Sequence, residues 1–239
     1  MNPKNTRREK YIWSAVNIAS LVLLGLMLQT GGAYLVNASV GYLQGLAGEG
    51  AQSALTDAAV SYGSFMESIR SLGSRQIIHV MFVAPIVEEI VFRLIFLRAG
   101  KMVMPFWAAN LIQAALFGLY HTEAVQRVYG FVMGLFIGCV FYYCPLIYRR
   151  SHAAKDSGKN EVGGGSEKAV SRGLSDMPDS LIGTGISVLL HMVINSSGLF
   201  LIPHFDADIP YGAQFAIGTV LMLICAASVF ILYRRSSQK

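Results

Sequence analysis

Long apolar segments dominate the hydrophobic pattern of the chain. Six windows of 19 to 23 residues are almost entirely apolar, and they cover residues 11–29, 77–97, 102–120, 128–148, 180–201 and 211–233. A helix of about 20 apolar residues crosses the roughly 30 Å hydrocarbon core of a bilayer. The pattern therefore predicts an all-α fold, a single multi-pass membrane domain over residues 1–239 with about six transmembrane helices.

Residues 51–76 carry a different pattern, in which apolar side chains recur every three or four positions. The apolar stripe consists of Leu55, Ala58, Ala59, Tyr62, Phe65, Met66, Ile69 and Leu72. Such spacing predicts an amphipathic helix that lies at the membrane surface. We expect this helix to pack over the ends of neighbouring spans, and a lid or guiding helix is the alternative interpretation.

The stretch between the fourth and fifth windows, residues 149–179, is polar. It contains Gly-Gly-Gly-Ser at 163–166, charges of both signs and almost no large apolar side chains. This composition is typical of a flexible linker. The distribution of basic residues puts that linker on the cytoplasmic side.

Composition and charge agree with a membrane protein. Of the 239 residues, 54% are hydrophobic and 14% are charged, whereas a soluble domain carries about 25% charged residues. With six spans, 15 of the 19 Lys and Arg residues lie on one side of the membrane, and Arg70, Arg75 and Arg127 lie on the other. Because Lys and Arg favour cytoplasmic loops, both termini are predicted to be cytoplasmic in a protein of the cell membrane. The net charge of +5 thus indicates topology, and no nucleic-acid partner is expected.

Charged residues single out the second window. It alone contains Asp, Glu, Lys or Arg, namely Glu88, Glu89 and Arg93. Glu89 and Arg93 are four residues apart, the spacing of an ion pair on a helix, which leaves Glu88 unpaired. Charges within a span are costly and usually mark a functional site, although such a cluster can also serve only to fix helix packing.

Two later windows carry polar or aromatic pairs at the same helical spacing. Phe117 lies near the end of the third window and His121 follows it, while His191 and Asn195 lie in the fifth. Residues four apart share one face of a helix, so His191 and Asn195 can address the same point in a cavity.

The fourth window has a face of small residues. Gly130, Gly134 and Gly138 recur every four positions. Such a face lets another helix approach closely, so we assign Gly134 and Gly138 to helix packing.

Two glutamates, two histidines and an asparagine on three spans favour hydrolysis. A carboxylate can act as the base for water, and neutral side chains can donate hydrogen bonds to a developing oxyanion. Other hydrolase sites lack their motifs, because the sequence contains no His-Glu-x-x-His, no Gly-x-Ser-x-Gly and no Asp within a window. The odd set of Cys139, Cys144 and Cys225 lies in apolar windows and indicates buried side chains, not a disulfide framework.

The polar motifs, taken in order, resemble those of a known family. Each lies on or at the end of an apolar helix: E-E-x-x-x-R at residues 88–93, F-x-x-x-H at 117–121 and H-x-x-x-N at 191–195. They resemble the CPBP family of intramembrane proteases, also called the Abi or CAAX protease and bacteriocin-processing family, which includes the Rce1-type CAAX endopeptidases. The run of Phe131, Gly134 and Gly138 is similar to a weaker fourth motif, and the resemblance covers about residues 77–200.

This resemblance implies an intramembrane glutamate endopeptidase. Glu88, with His121, would activate the attacking water, and His191 and Asn195 would stabilise the oxyanion. The substrate would be a peptide, or a lipidated or otherwise membrane-associated protein, within the lipid bilayer. Processing of a CAAX tail, a bacteriocin or a signalling peptide would fit the family.

In the same resemblance Glu89 and Arg93 would be supporting residues. We expect no metal cofactor, because a Glu88 that bound a metal would leave no separate base. Zinc is the alternative cofactor, since a glutamate and two histidines can hold it with an open position for water. Its ligands would be Glu88, His121 and His191.

A function from a different class is the alternative to proteolysis. The same buried cluster could belong to a non-proteolytic membrane partner or immunity protein that regulates another membrane protein. A small transporter is not favoured, because the sequence shows no inverted repeat.

The window limits leave two positions open for the site. They put His121 at the outer end of the third span, whereas Glu88 and His191 lie near mid-bilayer. Either the third span is longer or shifted, or the cavity opens outward.

Overall fold

Helices are the regular elements of the part of the chain that the structure describes. The computed structural model describes residues 3–71, 73–156, 177–200 and 209–237. The seven helices in these ranges are α1 (Pro3–Leu46), α2 (Glu49–Ser71), α3 (residues 74–103), α4 (Phe106–Tyr120), α5 (Ala124–Asp156), α6 (Met177–Phe200) and α7 (Tyr211–Ser237). No strand occurs within the described ranges, and the prediction of an all-α fold is confirmed.

Four stretches of these helices are long and apolar enough to cross a membrane. Within the described residues they are Asn17–Leu46 of α1, Ala124–Ile147 of α5, Met177–Phe200 of α6 and Tyr211–Arg235 of α7. The other two windows lie in α3, which carries the three charged residues, and in α4, which is 15 residues long. The count of six spans stays a prediction, in which α3 and α4 complete the bundle.

The first helix is longer than its window. α1 continues to Leu46, whereas the window ends at residue 29, just before Gly31 and Gly32. A Cβ at Gly31 would lie 2.9 Å from the Cβ of Leu221. The glycines therefore allow α1 to pack closely against its neighbours and do not end the helix.

The third window is interrupted at its start. Met104 has an extended backbone (φ −145°, ψ 164°), and α4 begins only at Phe106. The cause is Pro105, because the proline ring restricts the preceding residue to extended conformations.

The polar stretch at 149–179 is helical at both of its edges, which corrects the predicted linker limits. α5 continues to Asp156, and α6 already begins at Met177. Residues 149–156 contain Arg, Ala and Lys, which favour helices, and the next glycine is at position 158. The Gly-rich segment at 163–166 lies outside the described residues.

α3 alternates between α-helical and π-helical turns. Its consecutive segments are Ser74–Ile78 (α), His79–Val83 (π), Ala84–Glu89 (α), Ile90–Leu97 (π) and Arg98–Val103 (α). The residues at the junctions keep right-handed helical dihedral angles, so the five segments form one continuous helix. π turns are frequent at functional sites, and the two in α3 lie on either side of the segment that contains Glu88 and Glu89.

α2 is the amphipathic helix that the apolar stripe predicts, and this prediction is confirmed. The seven described residues of the stripe are all buried or half-buried, while Leu72 lies outside the described residues. Ser61 of α2 donates a hydrogen bond of 2.7 Å to Glu123 in the turn between α4 and α5. α2 therefore lies over the end of the bundle at which α4 meets α5.

The core joins α1, α5, α6 and α7. It contains the buried side chains of Leu28, Met133, Ile137, Val140, Leu190, Ile194 and Cys225. α4 packs against the glycine face of α5, since a Cβ at Gly134 would lie 3.0 Å from Ala114 Cα and one at Gly138 would collide with a side chain of α4. α4 in turn contacts α3 through the rings of Phe92 and Phe117, whose centroids are 5.1 Å apart. The glycine face thus positions the helix that ends at the first site histidine.

Candidate active site

Three helices carry the predicted site residues. Glu88, Glu89 and Arg93 lie in the middle of α3, His121 directly follows α4, and His191 and Asn195 lie in the second half of α6. Helical spacing explains which residues share a face, and the contacts between helices decide which of them meet.

Glu89 is fully buried and has partners on two helices. Its Oε2 lies 3.1 Å from Arg93 Nε, and neither side chain is exposed. Its Oε1 lies 2.8 Å from His191 Nδ1. The hydroxyl of Ser187, one turn before His191 on α6, also lies within hydrogen-bonding reach of this carboxylate. The ion pair expected from the spacing of Glu89 and Arg93 is present, and Glu89 extends it to α6.

The Arg93 guanidinium is buried over an aromatic ring. Its Cζ lies 4.5 Å from the centroid of Phe117. Nη1 and Nη2 have no hydrogen-bond partner among the described residues. The Glu89 carboxylate and the face of the Phe117 ring therefore stabilise this charge.

His191 stands between the two glutamates. Its Nδ1 is bonded to Glu89, and its Nε2 lies 3.6 Å from Glu88 Oε2. Because an ionised carboxylate only accepts hydrogen bonds, Nδ1 carries a proton. The distance of 3.6 Å is longer than a direct hydrogen bond, and 13% of the Glu88 side chain is exposed. Glu89 orients the imidazole, and Glu88 is the carboxylate that a reacting group can reach.

Asn195 ties α6 to the first π segment of α3. Its Nδ2 donates a hydrogen bond of 3.0 Å to the backbone oxygen of Val80. One N–H of the amide is used in this bond, and the same nitrogen carries a second N–H. The bond fixes the register between the helix of Glu88 and the helix of His191.

His121 ends α4 in an extended conformation (φ −78°, ψ 146°). Its Nδ1 donates to the backbone oxygen of Phe117 at 2.8 Å, so that Nε2 is an acceptor in the neutral ring. Arg127 Nε donates to the backbone oxygen of His121, also at 2.8 Å. These bonds hold His121 in the turn between α4 and α5, and neither of them joins it to Glu88.

Phe117 contacts all three of the charged or titratable groups around it, a role that sequence reasoning misses. Its ring centroid lies 4.9 Å from that of His121 and 5.7 Å from that of His191, and Arg93 lies over its face. The F-x-x-x-H motif contains Phe117, but its contacts depend on how three helices pack. Ser187 is also missed, although its position four residues before His191 places it on the same helix face.

The zinc alternative finds no preformed ligand group. Among the residues that the structure describes, no three or more His, Cys, Asp or Glu side chains are arranged to hold a metal ion. Glu88 and His191 are 3.6 Å apart, while His121 directs Nδ1 at a backbone carbonyl. The expectation of a reaction without a metal stays a prediction.

An apolar groove runs beside the site. Its volume is about 480 Å³, and it lies between α1, α3 and α6. Phe82 of α3 and Met192 and Ser196 of α6 are among the residues that line it. Met192 and Ser196 each follow a site residue directly, so the groove reaches the neighbourhood of His191 and Asn195.

A second cavity, of about 400 Å³, lies beneath α2 and has several polar walls. The polar residues that line it are Gln29, Asn37, Tyr62, Arg70 and Tyr129. The Tyr129 hydroxyl donates to Gln29 Oε1 across this space. Burial raises the pKa of the Tyr62 phenol, and the nearby charge of Arg70 opposes that rise.

The fold and these distances define a helical membrane protein with a buried carboxylate–histidine site. Residues 72–150 match the family model of the type II CAAX prenyl endopeptidase, Rce1-like. The matched segment is about a third of the chain and includes the first two motifs, whereas His191 and Asn195 lie beyond it. The predicted family resemblance is confirmed over this segment, which is similar to the Rce1-like endopeptidases. No curated protein and no solved structure gives a significant match.

The family match and the apolar helices together imply an integral membrane protein with protease-type chemistry. They also imply a membrane-associated protein as the substrate.

Proposed function

We propose that this protein is an intramembrane endopeptidase in which Glu88 activates water to cleave a peptide bond of a membrane-associated polypeptide. The observation that carries the proposal is the bond of 2.8 Å between Glu89 and His191, which leaves Glu88 as the partly exposed carboxylate 3.6 Å from the same imidazole. Glu89 holds the His191 imidazole in place, and Glu88 is available as the base. The Rce1-like match supports the reaction class.

The reaction needs a general base that takes a proton from water and a general acid that gives a proton to the leaving nitrogen. Glu88 takes a proton from water while the water oxygen bonds to the carbonyl carbon of the scissile amide. The electron pair of the carbonyl bond moves onto oxygen and forms an oxyanion. When the C–N bond breaks, Glu88 returns the proton to the leaving nitrogen. The products are a carboxylic acid and an amine, and no oxidant or reductant is required.

His191 and Asn195 stabilise the oxyanion in this proposal. Because Glu89 holds Nδ1, Nε2 of His191 is directed toward the space beside Glu88. In its protonated form Nε2 donates to an oxygen in that space, and Asn195 offers the amide N–H that the bond to Val80 does not use. A fixed donor of this kind is worth about 10²–10³ in kcat.

His121 acts with Glu88 on the water in the same scheme. The nitrogen available for this is Nε2, because Nδ1 is bonded to the Phe117 carbonyl. Glu89 and Arg93 do not touch the reacting atoms and act as positioning residues for His191.

The apolar groove supports a membrane-associated substrate. It is bounded by α1, α3 and α6 and passes beside the residues that follow His191 and Asn195. A lipid chain or an apolar peptide segment can occupy such a groove while a nearby peptide bond enters the polar site. A CAAX-type tail, a bacteriocin precursor and a signalling peptide are the substrate types that fit this description.

The non-proteolytic alternative is less well supported. A regulatory partner that bound the glycine face would need that face to be exposed, but Gly134 and Gly138 are covered by α4 of the same chain. The polar cluster is likewise enclosed between α3 and α6.

The test is a comparison of Glu88→Gln with the wild-type protein and with Glu67→Gln. Glu67 is an exposed carboxylate on α2 and provides a matched control for the loss of one charge. Peptides in the membrane and in the medium are compared by mass spectrometry. We expect cleavage products that depend on the protein to disappear with Glu88→Gln and to persist with Glu67→Gln. Continued cleavage by an inserted Glu88→Gln protein would refute the assignment.

A further inference from the structure

The two ends of the helix bundle differ in charge. One end, named the basic end, contains the turn between α3 and α4 and the last turn of α7. Arg98 and Lys101 near the end of α3 and Arg234 and Arg235 in the last turn of α7 are among its basic residues. The other end, named the α2 end, is covered by α2 and contains the turn between α4 and α5.

Aromatic contacts show that α3, α4, α5 and α7 meet at the basic end. Lys101 Nζ lies 4.0 Å from the ring centroid of Tyr142. Tyr143, the next residue of α5, lies 5.3 Å from Phe106 and 5.8 Å from Tyr233 between ring centroids. Clusters of Tyr and Trp rings are typical of the level at which a helix leaves the bilayer.

Because the helices alternate in direction, most of the cationic residues lie at the basic end. Asn37 of α1 is hydrogen-bonded to Gln214 of α7 at 2.7 Å, so the end of α1 lies beside the start of α7 and the two helices are antiparallel. Eleven Lys and Arg residues of the described helices then lie at the basic end, whereas Arg70, Arg75 and Arg127 lie at the α2 end. Because Lys and Arg favour cytoplasmic loops, the basic end faces the cytoplasm.

The site lies nearer to the α2 end. Asn195, in the last part of α6, binds Val80, which lies in the second turn of α3. His121 directly follows α4, and its backbone oxygen is bonded to Arg127 in the turn that α2 touches. At about 1.5 Å per residue, His191 lies ~14 Å from the end of α6 at the α2 end and ~21 Å from the other end.

We infer that the site opens to the non-cytoplasmic side and acts on a polypeptide segment presented there. This inference rests on the proposed function and names its substrate class. The substrate is an exported or extracytoplasmic segment of a membrane-associated peptide or protein, and not a tail that ends in the cytoplasm. Of the two positions that the sequence leaves open, the structure favours the cavity that opens outward.

Cysteine labelling tests the direction of the opening. In a chain whose Cys139, Cys144 and Cys225 are replaced by alanine, single cysteines are placed at Thr122 near the site and at Val103 at the basic end. Both positions are exposed. A membrane-impermeant maleimide is applied to right-side-out vesicles before and after detergent. We expect Thr122→Cys to be labelled at once and Val103→Cys to be labelled only after detergent.

A second pair of variants repeats the measurement at other positions, in case a variant of the first pair fails to insert into the membrane. Glu67→Cys marks the α2 end, and Ser237→Cys marks the basic end; both residues are exposed. They should repeat the pattern of the first pair. Labelling of the basic-end cysteines alone in intact vesicles would overturn the inference while leaving the protease proposal untouched.

The location of the products provides the second readout. Peptides that depend on Glu88 are sought separately outside the cell and among cytoplasmic protein tails. Products outside the cell that Glu88→Gln abolishes support the inference, and Glu88-dependent cleavage confined to cytoplasmic tails contradicts it. Outward labelling at Thr122 without any Glu88-dependent product would instead refute the protease proposal, and the substrate class with it.

Discussion

His191 Nδ1 and Glu89 Oε1 lie 2.8 Å apart, although 102 positions separate the two residues in the sequence. Glu89 also pairs with Arg93 at 3.1 Å, so one buried carboxylate joins α3 to α6. Nε2 of the same imidazole lies 3.6 Å from Glu88. Two adjacent glutamates therefore have different surroundings, and their variants should separate stability from activity.

Glu89→Gln should destabilise the protein strongly. The change leaves the Arg93 guanidinium buried without a counter-charge, and removal of one partner from a buried ion pair costs about 3–5 kcal/mol. Glu88→Gln should have a much smaller effect, because Glu88 is partly exposed and holds no direct hydrogen bond to His191. Thermal unfolding in detergent measures both, with Glu67→Gln as the exposed control. Equal stability of the Glu88 and Glu89 variants would contradict the distinct roles given to them.

Phe117→Leu should weaken the site mainly through the loss of the aromatic ring, because leucine keeps most of the side-chain volume. The ring faces Arg93 at 4.5 Å and contacts both histidines. Loss of a desolvated cation–π contact costs about 2 kcal/mol, whereas Phe117→Ala also opens a cavity and should cost ~3–5 kcal/mol. Phe96→Leu, on an exposed part of α3, is the matched control and should be near neutral. A Phe117→Leu protein as stable and as active as Phe96→Leu would show that the ring has no positioning role.

The helices themselves could be predicted closely, but some of their limits could not. The length of the apolar windows predicts the long helices, and the spacing of three or four residues between apolar side chains predicts α2. The first window ends at residue 29, whereas α1 continues to Leu46, and Gly31 packs against α7 without ending the helix. Composition alone predicts a linker over residues 149–179, whereas residues of high helix propensity extend α5 to Asp156.

Contacts between site residues on the same helix could be predicted from the sequence, but contacts between different helices could not. A spacing of four residues suffices for the pair of Glu89 and Arg93, because one helix determines it. The bond from Glu89 to His191 depends on how α3 and α6 are rotated against each other, which no local pattern specifies. The family resemblance implies His121 as the partner of Glu88, whereas the structure places a ring nitrogen of His191 3.6 Å from Glu88.

Chelation should leave cleavage unchanged if Glu88 is the base. A metal bound by Glu88, His121 and His191 would occupy the carboxylate that the mechanism uses to take the proton from water. Cleavage by purified protein is therefore measured with and without EDTA or 1,10-phenanthroline, followed by added zinc. Loss of activity that zinc restores would favour the zinc site over the metal-free glutamate mechanism.

Gly138→Ala should destabilise the contact between α4 and α5. A Cβ at this position would collide with Asn110, whose amide donates to the backbone oxygen of Leu135 at 3.0 Å. Gly185→Ala is the matched control on α6, because a Cβ there would meet no atom within 4 Å. Since alanine is the better helix former by about 1 kcal/mol, Gly185→Ala should be neutral or stabilising. The unfolding temperature should therefore fall for Gly138→Ala and stay the same or rise for Gly185→Ala, and an equal fall in both variants would contradict the packing role of the glycine face.

Asn195→Ala should reduce catalysis far more than stability. The bond to Val80 contributes about 1 kcal/mol, as for an ordinary hydrogen bond, whereas the loss of an oxyanion donor lowers kcat about 10²–10³-fold. Thr219→Ala on α7 is a suitable control, because its hydroxyl bonds only within its own helix, to Phe215 O at 2.7 Å. Single-turnover cleavage and thermal unfolding are measured on the same preparations. A loss of stability with an unchanged kcat would mean that Asn195 serves only to tie α6 to α3, and the oxyanion would then depend on His191 alone.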